Sequence, residues 1–243
     1  MDRSGLTIEQ RIEKAENLAP VESEVPAEEF LDFFEESGDE LAQMLSLIKA
    51  GTDKLRDFAL RAGMLPPGQV VVDEQIKELC KLPYRTPKGM IEECPGITRG
   101  FTGCPPFAPS VETTRGLLSA SRSLLVLQFA GNENSAPQGD VHSLLAKVTA
   151  GLQEKGYRII ETYASGPCRV CPKGCGDSPE CRLPDRRMFA FEACGFWVNT
   201  VCREAAKFPL LGGGPAVVRW VKNWRLATQD TGEVTYTTGF LLG

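Results

Sequence analysis

The stretch Gly166–Gly195, GPCRVCPKGCGDSPECRLPDRRMFAFEACG, holds five of the nine cysteines of this 243-residue chain. Cys168 and Cys171 are separated by two residues, Cys175 follows after three more and Cys181 after another five, and Cys194 closes the stretch. A Cys-x-x-Cys pair on a tight turn aims both sulfurs at one point, as a tetrahedral metal site or an iron–sulfur cluster requires. Thiolates are soft ligands that select zinc, copper(I) or iron–sulfur over magnesium or calcium. The spacing therefore predicts a thiolate metal site.

Disulfide bonds are the competing explanation for so many cysteines, and they form in oxidising compartments. The first twenty residues contain Asp2, Glu9, Glu13 and Glu16 and no apolar block, so they do not resemble a secretory signal. With an odd number of cysteines, this composition predicts reduced thiols in the cytoplasm.

The charge distribution argues against two classes of partner. The net charge is −5, but residues 1–40 hold thirteen Asp and Glu against three Lys and Arg, which leaves +5 for the cysteine-containing remainder. A chain with an acidic end and an acidic total is not expected to bind nucleic acid. No apolar run approaches the ~20 residues of a membrane helix.

The single histidine, His142, excludes a mixed Cys/His zinc finger and is expected at the surface at a helix start.

Hydrophobic periodicity predicts an α+β fold, a sandwich of a small mixed sheet with helices and cysteine-rich loops. We expect two parts, an acidic helical N-terminal extension over residues 1–63 and a cysteine-rich metal-binding domain over residues 64–243. The predicted helices are 7–19, 27–50, 52–62, 110–120, 140–154, 186–193 and 200–206. The predicted strands are 70–72, 123–130, 157–163, 217–227 and 234–242, the last two forming a closing hairpin.

The residues around the cysteines bear on which metal is bound. Structural zinc usually takes two Cys-x-x-Cys knuckles, and this chain has one. Cys94, Cys104 and Cys171 each precede a proline, a feature of ferredoxin-type ligand runs, although the spacing differs from theirs. A four-thiolate cluster is anionic, so cations nearby would offset its charge. Five are close in sequence: Arg169, Lys173, Arg182, Arg186 and Arg187. Together these features favour an iron–sulfur cluster over zinc.

Several ordered motifs carry a family resemblance. They are VVVDEQIKELC, CPGI, CPPFAPS, CRVC, CRLPDRR, FEACGFWV and VTYTTGFLL. Over Leu55 to the C-terminus the chain resembles a family of uncharacterised, cysteine-rich predicted metal-binding proteins from anaerobic bacteria and archaea. The resemblance implies metal binding and a role beside anaerobic metabolism, such as electron transfer, cluster handling or service to a metalloenzyme.

By position, the family's recurrent cysteines correspond to Cys80, Cys94, Cys104, Cys168, Cys171 and Cys181. Its other recurrent residues correspond to Arg182, Pro184, Arg187, Glu192 and Gly195. This chain departs from the pattern by adding Cys175, Cys194 and Cys202. With Cys175, the local four thiols Cys168, Cys171, Cys175 and Cys181 can close a site, whereas Cys80, Cys94 and Cys104 are one ligand short of a second. Cys194 is a further candidate ligand, and Cys202 is expected to be a buried helix thiol.

Three functions remain open on this reasoning. The first is an iron–sulfur protein, with one or two 4Fe-4S clusters, that exchanges electrons with a protein partner. The second is an enzyme with an open iron site, where Glu192 is the candidate acid or base and Arg182 or Arg187 binds an anionic substrate. A salt bridge between Glu192 and one of those arginines is the structural alternative. The third is an interaction module stabilised by zinc. The oligomeric state is not predicted.

Overall fold

The computed structural model describes residues 37–52, 58–81, 84–85, 91–92, 94–132, 138–175, 180–216 and 233–243, together with residue 55 and isolated positions between 10 and 35. Its helices are α1 (Gly38–Thr52), α2 (Glu74–Leu79), α3 (Pro95–Thr98), α4 (Val111–Ser119), α5 (Gln138–Glu154) and α6 (Val198–Ala205). Its strands are β1 (Phe58–Leu65), β2 (Tyr84–Arg85), β3 (Ile91–Glu92), β4 (Ser123–Asn132), β5 (Ile159–Ala164), β6 (Phe189–Ala190), β7 (Pro209–Leu211) and β8 (Glu233–Leu242). Short 3-10 turns cover Pro67–Gln69, Pro184–Arg186 and Glu192–Cys194.

The fold is α+β, as predicted, and is built on one mixed six-stranded sheet in the order β6-β5-β8-β4-β1-β7. β5 and β6 run parallel, whereas the other neighbouring pairs are antiparallel. The apolar segment Ser123–Ala130 was predicted as a strand and lies in the centre of the sheet as β4, paired with β1 and β8.

The sheet is covered on both faces, which explains why β4 is continuously apolar instead of alternating. Leu124 and Val126 pack into a core that contains α4, α6 and the loops of Cys80 and Cys104. Leu125 and Leu127 point to the opposite core, which α1 and α5 cover and which contains Cys168. The cysteine loops therefore pack against both cores.

The helix α1 packs directly onto this second core through Leu41, Met44 and Ile48. It continues through Gly51, where the sequence suggested a break, and ends at Thr52. A side chain at position 51 would begin 2.3 Å from Leu144 Cδ1 of α5, so glycine here permits the close contact of the two helices.

Two predicted helices were wrong. The segment predicted as helix 52–62 enters the sheet at Phe58, because residues 58–65 pair with β4 along their whole length. The predicted helix 186–193 is a 3-10 turn, the strand β6 and a second 3-10 turn, since Tyr163 and Ala164 of β5 pair with Phe189 and Ala190.

The other predicted elements differ in outcome, and the cap of α4 is confirmed. Ser110 caps α4 by accepting a hydrogen bond from the Thr113 N–H at 3.0 Å. The strand predicted at 70–72 is reduced to a single bridge between Val72 and Phe196. The predicted strand 217–227 lies outside the described residues, and helix 7–19 is described only at isolated positions. Among the described residues, no helix is long and apolar enough to cross a membrane.

Candidate metal centre

Three cysteines from separate segments surround one small cavity, and we call them the inner group. Cys80 follows the last residue of α2, Cys94 precedes α3, and Cys104 lies in the turn between α3 and α4. All three line a cavity of about 10 Å³, which is room for roughly one water-sized particle. Its remaining walls are Ile97, Pro105, Gly166, Pro167, Ala190, Glu192 and Ala193.

The approach of Cys80 to Glu192 is fixed by backbone pairing. The Trp197 N–H donates to the Val71 carbonyl at 3.0 Å, and the Asp73 N–H donates to the Gly195 carbonyl at 2.9 Å. Gly195 has a φ of 86°, a left-handed conformation that favours glycine, and a side chain there would begin 2.8 Å from the Asp73 carbonyl oxygen. These contacts hold α2 against the 3-10 turn that carries Glu192.

The Cys-Pro-Gly-Ile turn presents donors to the sulfur of Cys94. The backbone N–H groups of Gly96 and Ile97 hydrogen-bond to the Cys94 thiol and lower its pKa, although burial has the larger effect and the net shift is upward. Arg169 acts in the same direction as the two N–H groups. Hydrogen bonds to sulfur and a nearby cation favour a thiolate, the form that binds metal.

The thiols of the inner group affect one another. Burial raises the pKa of Cys80 and of Cys104, and the other cysteines and Glu192 raise both further. Without a positive ion between them, these thiols are therefore protonated at neutral pH. A bound metal ion would have to displace their protons.

Glu192 is partly buried, and burial raises the pKa of its carboxyl group. Within the described part of the chain it forms no ion pair, so the salt bridge to Arg182 or Arg187 is not formed. Arg187 instead lies over the ring of Phe189, 4.3 Å from its centroid. Burial, Cys181 and Cys175 raise the pKa of Cys171, and the exposed Arg182 opposes that rise.

The second set of thiols, Cys168, Cys171, Cys175 and Cys181, is the outer group. Cys168 is buried and the other three are half-buried. Burial raises the pKa of Cys168, while the N–H groups of Val170 and Met188 hydrogen-bond to its sulfur and oppose the shift. Cys175 and Cys181 raise the pKa of both Cys168 and Cys171, so the four thiols are electrostatic neighbours.

The two groups adjoin one another. Gly166 and Pro167 line the inner cavity and immediately precede Cys168 of the outer group. Thr102, two residues before Cys104 of the inner group, has its hydroxyl 3.8 Å from Cys175 Sγ of the outer group. Cys168 is also among the groups that raise the pKa of Cys104.

The remaining two cysteines lie outside both groups. Cys194 is fully buried, its sulfur is hydrogen-bonded by the Thr114 side chain, and it does not line the inner cavity. It is nevertheless close enough to raise the pKa of Cys80 and Cys104. Cys202 is fully buried on α6, as the sequence suggested, with its sulfur 3.8 Å from the Thr237 hydroxyl.

Sequence reasoning missed the positions or contacts of two residues near the site. His142 is fully buried inside α5, so its predicted surface position was wrong; its only signal was its place on the apolar face of that helix. Arg169 was counted among the nearby cations, but its effect on Cys94 of the inner group had no sequence signal.

The donors fit a soft metal in their chemistry. Among the described residues, however, no three Cys, His, Asp or Glu side chains already converge as they would around a metal ion. The structure thus brings the predicted cysteines into two neighbourhoods without closing a coordination sphere in either.

Comparison with known proteins gives one match. Neither a curated protein nor a solved structure matches the chain. The family model described as "Predicted metal-binding protein (DUF2284)" matches residues 63–215, which include every cysteine of both groups and Glu192 and end before β8. The chain therefore belongs to this family of predicted metal-binding proteins.

Proposed function

We propose that this protein binds an iron–sulfur cluster of the 4Fe-4S type through the outer group and transfers electrons to or from a protein partner. The observation that carries the proposal is the grouping of Cys168, Cys171, Cys175 and Cys181 at the surface of a rigid fold. Four thiolates complete the coordination of such a cluster, and a complete cluster is suited to electron transfer.

The surroundings of the outer group support redox use. The N–H groups of Val170 and Met188 hydrogen-bond to the sulfur of Cys168, and Arg182 lies near Cys171. Hydrogen bonds to cluster sulfurs and nearby positive charge raise the reduction potential of a cluster. These residues would therefore hold the cluster and stabilise its reduced form.

The surface beside the outer group supports the choice of partner. Leu183 has 40% of its surface exposed, and charged residues of both signs are exposed around it: Lys173, Glu180, Arg182, Asp185 and Arg186. A polar, charged rim around an apolar contact is the usual composition of a protein–protein interface. The proposed partner is accordingly a redox protein.

The test is metal and sulfide analysis of full-length protein purified without oxygen from iron-replete cells. We expect a brown protein with iron and acid-labile sulfide, and an EPR signal after reduction with dithionite. Stoichiometric zinc without sulfide would overturn the proposal in favour of a zinc-stabilised module.

The inner cavity favours a second candidate function, an enzyme with an exchangeable metal position. Three thiols leave a fourth position free of sulfur, which is the arrangement catalytic sites use. Glu192 then stands beside that position as the candidate acid or base, and Arg169 is the cation near the group.

Cyanide and small thiols test this second candidate. If the inner group keeps an exchangeable position, they change the spectrum of the loaded protein, Cys104→Ala removes the change and Cys175→Ala preserves it. If no added ligand changes any signal in the wild-type protein, the electron-carrier proposal stands alone.

A further inference from the structure

We infer that Glu192 is the fourth donor of a second metal site, in which Cys80, Cys94 and Cys104 bind a single divalent ion. This site does not depend on the cluster proposed for the outer group. Nothing in the family description assigns Glu192 or separates the cysteines into two sites.

The first argument is convergence. Three chain segments distant in sequence bring their cysteines to one cavity, and a fourth segment adds a carboxylate to the same wall. The cavity of about 10 Å³ has room for one water-sized particle, which matches a single ion. Three sulfurs and one oxygen form a tetrahedral donor set of the kind that zinc or iron(II) accepts.

The second argument is that, among the described residues, Glu192 has no cationic side chain to balance its charge. Its carboxylate is hydrogen-bonded by its own backbone N–H. By contrast, Glu204 is paired with Arg203 and Lys207, and Glu161 lies near Arg187. A partly buried carboxylate without a cationic partner is unfavourable in its charged form, and a metal ion in the cavity would stabilise that form.

The third argument concerns charge. Three thiolates and a carboxylate around a divalent ion carry a net charge of about −2 in a low-dielectric setting, which requires compensation. Around Cys94, the N–H groups of Gly96 and Ile97 and the guanidinium group of Arg169 provide compensating positive charge.

Closure of the site needs only local movement. The four side chains line the cavity without meeting at coordination distance among the described residues. Cys80 lies at the C-terminal end of α2, and Glu192 lies in a short 3-10 turn. The backbone hydrogen bonds of Asp73 and Trp197 hold α2 against that turn. Rotation of their side chains can therefore close the site without unpacking the sheet.

The experiment is an anaerobic titration of metal-free, reduced, full-length protein with Co²⁺, followed by optical absorption. Wild-type protein is expected to bind two equivalents, one in each group, and Cys80→Ser only one. Glu192→Gln should weaken the second equivalent at least ~10-fold. Glu161→Gln, which changes another partly buried carboxylate that does not line the cavity, should bind like wild type.

Glu192→Cys provides an independent readout. It converts the donor set to four thiolates, so the sulfur-to-cobalt charge-transfer band should gain intensity while two equivalents remain bound. This variant decides the question if circular dichroism shows that Glu192→Gln does not fold.

Three results would overturn the inference. They are the same number of bound equivalents in Cys80→Ser as in wild-type protein, wild-type affinity in Glu192→Gln, and an unchanged charge-transfer band in Glu192→Cys. Failure of the iron–sulfur proposal is recognised separately, because it shows as missing sulfide at the outer group and leaves these cobalt results unchanged.

Discussion

The backbone N–H of Arg169 donates a hydrogen bond to Nδ1 of His142 at 3.1 Å. It ties the Cys-x-x-Cys turn of the outer group to α5, which packs on the face of the sheet opposite α4 and α6. Since Nδ1 accepts, the neutral ring carries its proton on Nε2. The turn thus depends on an imidazole that must stay uncharged.

This contact predicts a pH-dependent loss of stability. Burial and the nearby Arg169 lower the pKa of His142 to about 4 from its usual 6.5, and the Ser165 carbonyl opposes them. Between these values the unfolded chain binds more protons than the folded one, so stability rises with pH through this window and is lost as pH falls. The full effect is on the order of 3 kcal/mol.

Urea unfolding of metal-free, reduced protein at several pH values measures this effect. His142→Asn keeps an acceptor near the position of Nδ1 and cannot titrate, so its free energy of unfolding should vary less between pH 4 and 6.5 than that of wild type. Parallel pH profiles for the two proteins would show that His142 does not contribute.

Some elements of the fold follow directly from sequence and others do not. β4 was recognised because SLLVLQFA is too apolar for anything but a strand buried on both faces, and α4 because Ser110 caps it. In contrast, Leu55, Phe58 and Ala59 have helical spacing, yet residues 58–65 form a strand because β4 offers a complete pairing edge. Pairing between segments distant in sequence overrides local periodicity.

Sequence reasoning separated the cysteines into an outer four and an inner three, but it did not predict the contacts around the inner three. Spacing alone grouped Cys168, Cys171, Cys175 and Cys181. It could not show that Glu192 lines the inner cavity, because that depends on the pairing of the segments at Val71 and Trp197. A carboxylate five residues after Arg187 looks like an ion-pair partner in sequence, whereas the arginine stacks on Phe189.

Gly96 is predicted to be essential to the inner group. A side chain at this position would begin 2.7 Å from Cys104 Sγ and 3.2 Å from Pro167 Cγ, so Gly96→Ala forces the sulfur out of the cavity. We expect loss of the second cobalt equivalent and a decrease of about 1–3 kcal/mol in the free energy of unfolding.

Gly116→Ala is the matched control for Gly96→Ala. Position 116 lies in α4 with nothing within 4 Å of an added side chain, so alanine should preserve metal binding and raise stability by up to ~1 kcal/mol. Equal metal content in the two variants would contradict the close contact at Gly96.

The outer thiols are predicted to matter far more for metal binding than the core thiol Cys202. Cys168→Ser or Cys171→Ala should lose the outer metal and destabilise the loaded protein, because ligands on loops couple metal binding to folding. Burial raises the pKa of Cys202 to about 12, and its sulfur contacts Thr237 and Gln128. Cys202→Ser should therefore keep the full metal content, and metal loss equal to that of Cys168→Ser would refute this assignment.

Cys194 is a candidate ligand that does not line the inner cavity. It lies in the FEACG motif beside Glu192, and sequence alone made it a candidate ligand. In the fold its sulfur is fully buried, is hydrogen-bonded by the Thr114 side chain and belongs to the hydrophobic core that covers one face of the sheet. Cys194→Ala should accordingly retain both metal equivalents and lower the free energy of unfolding by about 1–2 kcal/mol. Cys104→Ala, by comparison, should lose the inner equivalent; if the two variants lose the same metal, Cys194 is a ligand and the inner site has a fourth sulfur.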